Sequence, residues 1–288
     1  MFILKSEIKA VLAALLLAVS MQGCDCAKET DETNTFLDET SLHADDALMS
    51  AGGNVEGISV CHEGVCERTG SGGYIGFDAA GSYTFYINGI YLSERNITET
   101  ARIVSPYTLF DSNATARAYE LFVHACDRDE EDTSVSLSFS PYLPDADSFE
   151  AFLNDSMQEG NITFSINDHN ITIDTLSGFI KRDDINWTYT VIDREVYTAL
   201  ELVEAFFDRA KDKKIALFDS NETFEFERLG PVSFMLGEAY SIELELQSDA
   251  LILHFTDLES GVESDARFVE IRDENLLQSE LVNLEIVE

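Results

Sequence analysis

Residues 240–246 alternate strictly between polar and apolar side chains, in the order Tyr-Ser-Ile-Glu-Leu-Glu-Leu. Other segments with a similar alternation follow one another through the second half of the chain, at 162–166, 187–192, 223–227, 251–255, 268–271 and 281–287. A period of two is typical of a strand with one face in a core and the other in water. These segments therefore predict an antiparallel sheet that is solvated on one face.

Three other segments show the longer period of an amphipathic helix. Apolar residues recur at every third or fourth position in 114–125, 149–157 and 196–210. Asp111 and Ser112 precede the first segment and are suited to cap it, as are Asp147 or Ser148 for the second. Together the two periods predict an α+β fold, an antiparallel sheet with a few amphipathic helices to one side.

The composition changes along the chain and divides it into four parts. Residues 25–52 hold eight acidic residues, one lysine and no sustained period, which indicates a solvated tether. Glycine-rich turns then separate short strand candidates that are rich in β-branched and aromatic residues. We predict a signal peptide at 1–23, an acidic tether at 24–52, a β module at 53–95 and an α+β domain at 96–288.

The composition of the first residues is typical of an export signal. Lys5 and Lys9 precede an apolar run at 10–19 that is too short to span a bilayer and fits a signal-peptide core. The sequence Ser-Met-Gln-Gly-Cys at 20–24 follows, and it resembles the lipobox of bacterial lipoproteins. The resemblance implies cleavage after Gly23, acylation of Cys24 with palmitate among other chains, and a stable lipid anchor in the inner or outer membrane of the cell envelope. The alternative is an ordinary signal peptide, and both interpretations place the chain outside the cytoplasm.

A second resemblance covers residues 55–92 and is carried by glycines and aromatic residues at fixed spacing. The matching positions are Gly57, Cys61, Thr69, Gly70, Gly73, Phe77, Gly81, Phe85, Gly89 and Ile90. They resemble a repeat-type β module of surface and secreted proteins of marine bacteria. The resemblance implies a β-sandwich-like, extracytoplasmic module without known catalytic residues.

Four cysteines besides Cys24 are available for disulfides, which export permits. Cys61 and Cys66 bracket a four-residue loop between strand-like flanks and are suited to pair across a hairpin. Cys126 competes for either of them, and the connectivity stays open at this point. A metal site of His62, His124 and Cys126 is a further alternative, but no ligand spacing typical of zinc supports it.

The chain carries 55 acidic and 18 basic residues, a formal net charge of −37. Such a charge repels phosphate backbones, so it excludes nucleic-acid binding through a basic face. One acidic run, at 126–132, suggests a calcium loop with Asp127, Asp129 and Asp132 as ligands. Arg128 interrupts this run and no glycine allows the sharp turn of an EF-type loop, so we interpret it as an exposed acidic loop and expect no resident cofactor.

The catalytic motifs GxSxG and HExxH of common hydrolases are absent from the sequence. We therefore predict a membrane-anchored extracytoplasmic lipoprotein that acts as a binding or structural module rather than as an enzyme, with an unidentified protein or glycan partner. The alternatives are a secreted hydrolase or carbohydrate-active enzyme without a recognisable motif, and a calcium-dependent adhesin. A concave pocket with convergent polar groups and shifted pKa values would favour an enzyme over a purely structural module.

Overall fold

The computed structural model describes residues 46–98, 101–127, 134–136, 141–142, 149–166, 169–183, 185–217 and 222–287. Its helices are α1 (Pro106–Leu109), α2 (Asn113–Cys126), α3 (Phe149–Glu159) and α4 (Arg194–Ala210). The three longer helices lie where the sequence predicts them, and the side chain of Ser112 caps α2 by accepting from the backbone N–H of Thr115. None of the helices in these residues is long and apolar enough to cross a membrane.

The first half of the fold contains four small sheets. Its strands are β1 (Ala47–Met49), β2 (Asn54–Glu56), β3 (Ile58–His62), β4 (Val65–Arg68), β5 (Tyr74–Ile75), β6 (Gly81–Ile87), β7 (Ile90–Ile97), β8 (Ile103–Val104), β9 (Ser134–Ser136), β10 (Pro141–Tyr142), β11 (Asn161–Ile166), β12 (His169–Asp174), β13 (Phe179–Arg182) and β14 (Ile185–Thr188). The sheet orders are β5-β1-β8, β2-β9, β4-β3-β6-β7 and β10-β11-β12-β13-β14. Parallel pairing occurs between β1 and β8 and between β2 and β9, and the other described pairs in this half are antiparallel.

Helix α2 lies at the centre of the first half. Ten of its fourteen residues are buried, and it packs against α1, α3, β12 and β13. A helix that is buried on nearly all sides has to be apolar on nearly all sides, and its sequence Asn-Ala-Thr-Ala-Arg-Ala-Tyr-Glu-Leu-Phe-Val-His-Ala-Cys mostly meets this requirement. The titratable exceptions are the buried side chain of Glu120 and the half-buried side chain of His124, which belong to the candidate site described below.

The second half of the fold is a closed barrel of eight antiparallel strands. They are β15 (Lys214–Leu217), β16 (Thr223–Arg228), β17 (Ser233–Leu236), β18 (Tyr240–Gln247), β19 (Ala250–Asp257), β20 (Val262–Arg272), β21 (Leu276–Ser279) and β22 (Asn283–Val287). Each strand pairs with the next along the chain, and β22 pairs with β15 to close the barrel. The inside of an eight-stranded barrel is narrow enough for side chains to fill.

One side of α4 shares a hydrophobic core with the apolar face of the barrel. The ring of Phe207 on α4 stacks on Phe226 and Phe234, with centroid distances of 5.1 Å and 3.9 Å. Ile242 and Leu244 are buried, whereas Glu243 and Glu245, which alternate with them, are exposed. The prediction of antiparallel strands with one core face and one acidic face is therefore confirmed, and the fold is α+β at this coarse level.

A buried ion pair also links α4 to the barrel. The carboxylate of Glu204 on α4 is 5% exposed and pairs with the guanidinium of Arg228 on β16. Burial raises the pKa of Glu204 to about 8, although Arg228 opposes this shift. Arg228 also donates to Asp208, one helical turn further along α4, at 2.6 Å.

Two predicted strands extend beyond the strands that the structure forms. The predicted strand at 187–192 ends at Thr188, because the chain then turns towards α4 and its next polar groups bond outside the sheet. The predicted strand at 281–287 begins only at Asn283, because the hydroxyl of Ser279 accepts from the N–H of Val282 and closes a turn after β21.

A disulfide between Cys61 and Cys66 joins β3 to β4, as predicted. The two cysteines lie directly opposite each other in the antiparallel register. Cys126, the competing cysteine, is a buried free thiol at the end of α2, and burial raises its pKa well above its usual value. A pairing of Cys126 with either of the other two is therefore not formed.

Candidate functional site

Glu120 on α2 has a fully buried carboxylate. Its Oε1 accepts hydrogen bonds from the hydroxyl of Tyr189 and from the backbone N–H of Ile192, each at 2.8 Å. Its Oε2 accepts from the hydroxyl of Tyr197, at 3.1 Å. Tyr189 and Ile192 lie in the segment that leads into α4, and Tyr197 lies on the first turn of α4. Glu120 therefore connects the central helix of the first half to the helix that packs on the barrel.

Burial raises the pKa of Glu120 to about 7. The three hydrogen bonds and the nearby charge of Arg117 favour the ionised form and oppose the shift. A carboxyl group with this pKa is partly protonated at neutral pH, in contrast to an exposed glutamate. Shifts of this size are concentrated at functional sites, although buried structural networks also produce them.

Gly52 extends the network towards the surface. Its backbone N–H donates to the hydroxyl oxygen of Tyr197 at 2.7 Å, so this tyrosine accepts from Gly52 while it donates to Glu120. Gly52 has a φ of +77°, and a Cβ added to it would lie 1.7 Å from the hydroxyl oxygen of Tyr189. Both the backbone conformation and the available space therefore require glycine here.

His124 lies one helical turn after Glu120 and is half-buried. Its ring stacks on the ring of Tyr189, with centroids 3.7 Å apart, and its Nε2 donates to the backbone oxygen of Ala51 at 2.8 Å. Burial lowers the pKa of His124 to about 4, although the bond to Ala51 opposes the shift. His124 is therefore neutral at physiological pH, and it fixes the turn that contains Gly52.

A cleft of about 440 Å³ lies beside this network. One wall comes from the turn at residues 48–54, including Gly52, and the other from β18 and β19 of the barrel. Val232 and Leu246, which are only partly buried, supply apolar surface, whereas Glu243 and Glu245 supply carboxylates. The cleft therefore combines an apolar part with a negatively charged part, as small-molecule sites commonly do.

His254 completes the charged wall of the cleft. It lies opposite Glu243 and Asp265 in the strand register, and its two ring nitrogens bond to Glu245 at 2.6 Å and to Asp265 at 2.7 Å. Burial alone would lower the pKa of His254, but the bonds to Asp265 and Glu245 raise it overall. The imidazolium therefore offsets part of the charge of the surrounding carboxylates, and the wall keeps a net negative charge.

The described part of the cleft lacks the arrangement of an acid–base or nucleophilic centre. Both nitrogens of His254 are engaged by carboxylates, so it does not activate a hydroxyl group. Glu120 does not line the cleft, since it lies behind Gly52 and Tyr197. Within the residues that the structure describes, no group of three or more His, Cys, Asp or Glu side chains is placed to hold a metal ion.

The site residues predicted from the sequence do not meet in this cleft. Cys24, Asp129 and Asp132 lie outside the described residues. Asp127 forms the C-cap of α2 and is 8% exposed, and its backbone oxygen accepts from Arg182. The hypothesis of a calcium loop in this acidic run therefore stays untested, because the structure describes Asp127 but not Asp129 or Asp132. His62, His124 and Cys126 do not form a metal site, since each histidine bonds to a backbone oxygen.

Sequence reasoning missed Glu120, although a signal for it exists. Glu120 is the single acidic residue in the fourteen residues of α2, in a chain where nearly one residue in five is acidic. An isolated carboxylate in an apolar helix is a candidate for a buried functional group. Its donors Tyr189 and Tyr197 and the neighbouring Gly52 carry no comparable signal.

Comparisons of the chain with known protein families, with curated proteins and with solved structures found no match. A functional assignment therefore depends on the geometry described above and on the sequence.

Proposed function

We propose that this chain is a membrane-anchored extracytoplasmic protein that binds a small ligand in the cleft between residues 48–54 and strands β18 and β19. The observation that carries the proposal is the cleft itself, whose volume of about 440 Å³ lies within the roughly 300–1,000 Å³ of small-molecule sites. A concave site argues against a purely structural module. Both ring nitrogens of the lining residue His254 are bonded to carboxylates, and this favours binding over hydrolysis.

The two walls of the cleft indicate the chemical class of the ligand. Glu243 and Glu245 present carboxylates that a positively charged group would neutralise, and the acidic surroundings of the barrel favour the approach of cations. Val232 and Leu246 offer apolar surface on which a hydrocarbon part would be buried. The ligand is therefore an amphiphilic amine in its protonated form.

Titration with n-octylammonium tests this part of the proposal. We expect saturable binding by calorimetry, and about tenfold or greater weakening in the variant Glu243→Gln/Glu245→Gln because two charged contacts are lost. The variant Glu259→Gln/Glu263→Gln changes the same charge on exposed residues of the barrel outside the cleft and is the matched control. Equal binding of octanoate, or equal affinity in both variants, would contradict the proposal.

The anchoring part of the proposal is supported by the lipobox resemblance at 20–24 and by the acidic residues between it and β1, whose composition suits a tether between a membrane and a folded body. The resemblance of residues 55–92 to surface modules, with the β-sandwich-like fold that it implies, belongs to the same proposal. Several acyl chains on Cys24 would give stable attachment, since more than one membrane-binding group is needed for it.

Expression in a bacterium with the native leader tests the anchor. We expect the wild-type protein to incorporate labelled palmitate and to partition into detergent, and Cys24→Ser to lose both properties because the acylated sulfur is missing. Cys26→Ser removes a cysteine two residues away and should behave as the wild type. A membrane fraction that is unchanged in Cys24→Ser would refute the anchor.

A further inference from the structure

A pentapeptide of the form acidic-x-Asn-x-Thr, where x is any residue, occurs six times in the chain. Its asparagines are Asn96, Asn113, Asn161, Asn170, Asn186 and Asn221. Fewer than one copy would be expected from the chain's own numbers of acidic, asparagine and threonine residues. Strand alternation alone does not explain the excess, because one copy spans the start of α2 and another joins the end of α3 to β11. The repeated pentapeptide therefore indicates recognition by a common partner.

The chemistry of the pentapeptide points to a covalent modification. Asn-x-Thr is an acceptor sequence for N-glycosylation, in which the side-chain amide of the asparagine receives a glycan. In all six copies an acidic residue also lies two positions before the asparagine. An enzyme that selects this pattern needs a cationic group for the carboxylate and a hydrogen-bonding partner for the threonine hydroxyl. The pattern therefore defines a narrower acceptor than Asn-x-Thr alone.

The copy on β7 presents all three recognition residues to solvent. Glu94, Asn96 and Thr98 are exposed, whereas Ile97 is 4% exposed and lies in the core. Residues two apart on a strand point to the same face, so the carboxylate of Glu94 and the amide of Asn96 face solvent together. Glu94 accepts a hydrogen bond from the exposed hydroxyl of Ser82 and stays exposed. This copy is therefore accessible to an enzyme in the folded protein.

The copies differ in how the sheet holds their backbone. Asn96 lies on β7 and Asn186 on β14, and each of these strands is at the edge of its sheet. Asn186 and Thr188 are both exposed. An edge strand has one side without a paired strand, so its backbone can enter the cleft of an enzyme more easily than that of an interior strand. Asn161 and Asn170 lie on β11 and β12, which are held by strands on both sides.

The copy at the start of α2 is closed to an enzyme by the fold. Asn113 is exposed, but Thr115 is fully buried. The hydroxyl of Thr115 donates to Oδ1 of Asn154 at 2.6 Å. Oδ1 of Asn113 itself accepts from the guanidinium of Arg194 at 3.0 Å. Asn113 therefore has the acceptor sequence without an accessible threonine hydroxyl, and it provides an internal control for the role of the fold.

We propose that Asn96 and Asn186 are glycosylated by a transferase that recognises the acidic residue and uses an oligosaccharide linked to a polyisoprenyl diphosphate. The bond between the anomeric carbon of the first sugar and the diphosphate oxygen breaks, and the diphosphate leaves with the electron pair. A bond forms from that carbon to Nδ2 of the asparagine, which loses one proton to the enzyme. The proposal rests on the extracytoplasmic location in the proposed function, since the acceptor sequence is used in exported proteins. A bulky, solvated glycan on each edge strand would also hinder its pairing with another chain.

Mass spectrometry of glycopeptides, on the full chain purified from the cells that naturally produce it, tests the proposal. We expect glycans at Asn96 and Asn186, lower occupancy at Asn161 and Asn170, and none at Asn113. Asn96→Gln and Asn186→Gln, expressed in the same cells, should each lose one glycan. Palmitate incorporation and n-octylammonium binding are measured on the same preparation. A protein that is acylated and binds the amine but carries no glycan would therefore overturn this proposal alone.

Glu94→Gln tests the role of the acidic residue. We expect the occupancy of Asn96 to fall about tenfold or more, because the charged contact with the transferase is lost, and that of Asn186 to stay unchanged. The fold should be kept, since glutamine can still accept from Ser82. Glu67→Gln, an exposed residue on β4 of the same sheet, removes the same charge and is the matched control. The proposal would be overturned if neither asparagine carries a glycan, if Asn113 is modified as fully as they are, or if Glu94→Gln leaves the occupancy of Asn96 unchanged.

Discussion

The variant Gly52→Ala is expected to unfold at a markedly lower urea concentration than the wild-type protein. The new Cβ would lie 1.7 Å from the hydroxyl oxygen of Tyr189 and 2.9 Å from Nε2 of His124, which is closer than atoms can approach. The turn therefore has to move, and the bond from Gly52 to Tyr197 is then lost or lengthened. Overpacking and an unfavourable positive φ together should lower the free energy of unfolding by about 3 kcal/mol or more.

Gly89→Ala is the matched control for this prediction. Gly89 also has a positive φ, +85°, but no atom lies within 4 Å of the position of its added Cβ. Only the backbone strain should remain, which is about 1 kcal/mol. If the two variants lose the same stability, the close packing of Gly52 against Tyr189 and His124 is not what requires glycine there.

The second large effect is a dependence of stability on pH that comes from Glu120. Its pKa rises from 4.5 to about 7 on folding, so the folded protein holds the proton more tightly than the unfolded chain does. The resulting stabilisation is complete below pH 4.5 and is lost as the pH rises through about 7. The loss should be roughly 3 kcal/mol, since one pKa unit corresponds to about 1.4 kcal/mol.

Urea unfolding of Glu120→Gln across this pH range measures the effect, because glutamine does not titrate. We expect the difference between wild type and variant to shift in favour of the variant by roughly 3 kcal/mol between pH 4.5 and pH 7. Glu195→Gln, an exposed residue on the first turn of α4, removes the same charge and should leave the wild-type slope unchanged. A slope that persists in Glu120→Gln would show that Glu120 is ionised throughout.

Two other groups with shifted pKa values also contribute to the dependence of stability on pH. The pKa of His124 falls from 6.5 to about 4 on folding, so its contribution to stability is present above pH 6.5 and is lost as the pH falls through about 4. The pKa of Glu204 rises from 4.5 to about 8, so its contribution is lost as the pH rises through about 8. Both remain in Glu120→Gln, and the comparison with wild type at each pH removes them.

The sequence predicts which faces of the strands and helices are buried, but it does not predict that the strands close into a barrel. The alternation of Ile242, Glu243 and Leu244 shows which side chains are buried without showing which strand pairs with which. Closure depends on pairing between β15 and β22, which are separated by the other six strands of the barrel. The Cys61–Cys66 disulfide was predictable because its two cysteines are close in sequence and face each other across one hairpin.

The candidate site was less predictable because its residues come from distant segments. Glu120 is a lone acidic residue in α2. Its partners Tyr189, Ile192 and Tyr197 lie more than sixty residues further along the chain. The predicted strand at 187–192 failed for the same reason, since the N–H of Ile192 bonds to Glu120 rather than to a neighbouring strand. Patterns along the chain report local burial, and they do not report which buried polar groups satisfy one another.

A crystal structure of the protein with n-octylammonium tests most directly the claim that the cleft is a binding site. We expect an ammonium group within hydrogen-bond distance of Glu243 or Glu245 and an alkyl chain that contacts Val232 or Leu246. We also expect the turn at Gly52 to keep its bond to Tyr197, because the hydroxyl of Tyr197 is also bonded to the buried carboxylate of Glu120. A ligand bound elsewhere with the cleft empty would contradict the account.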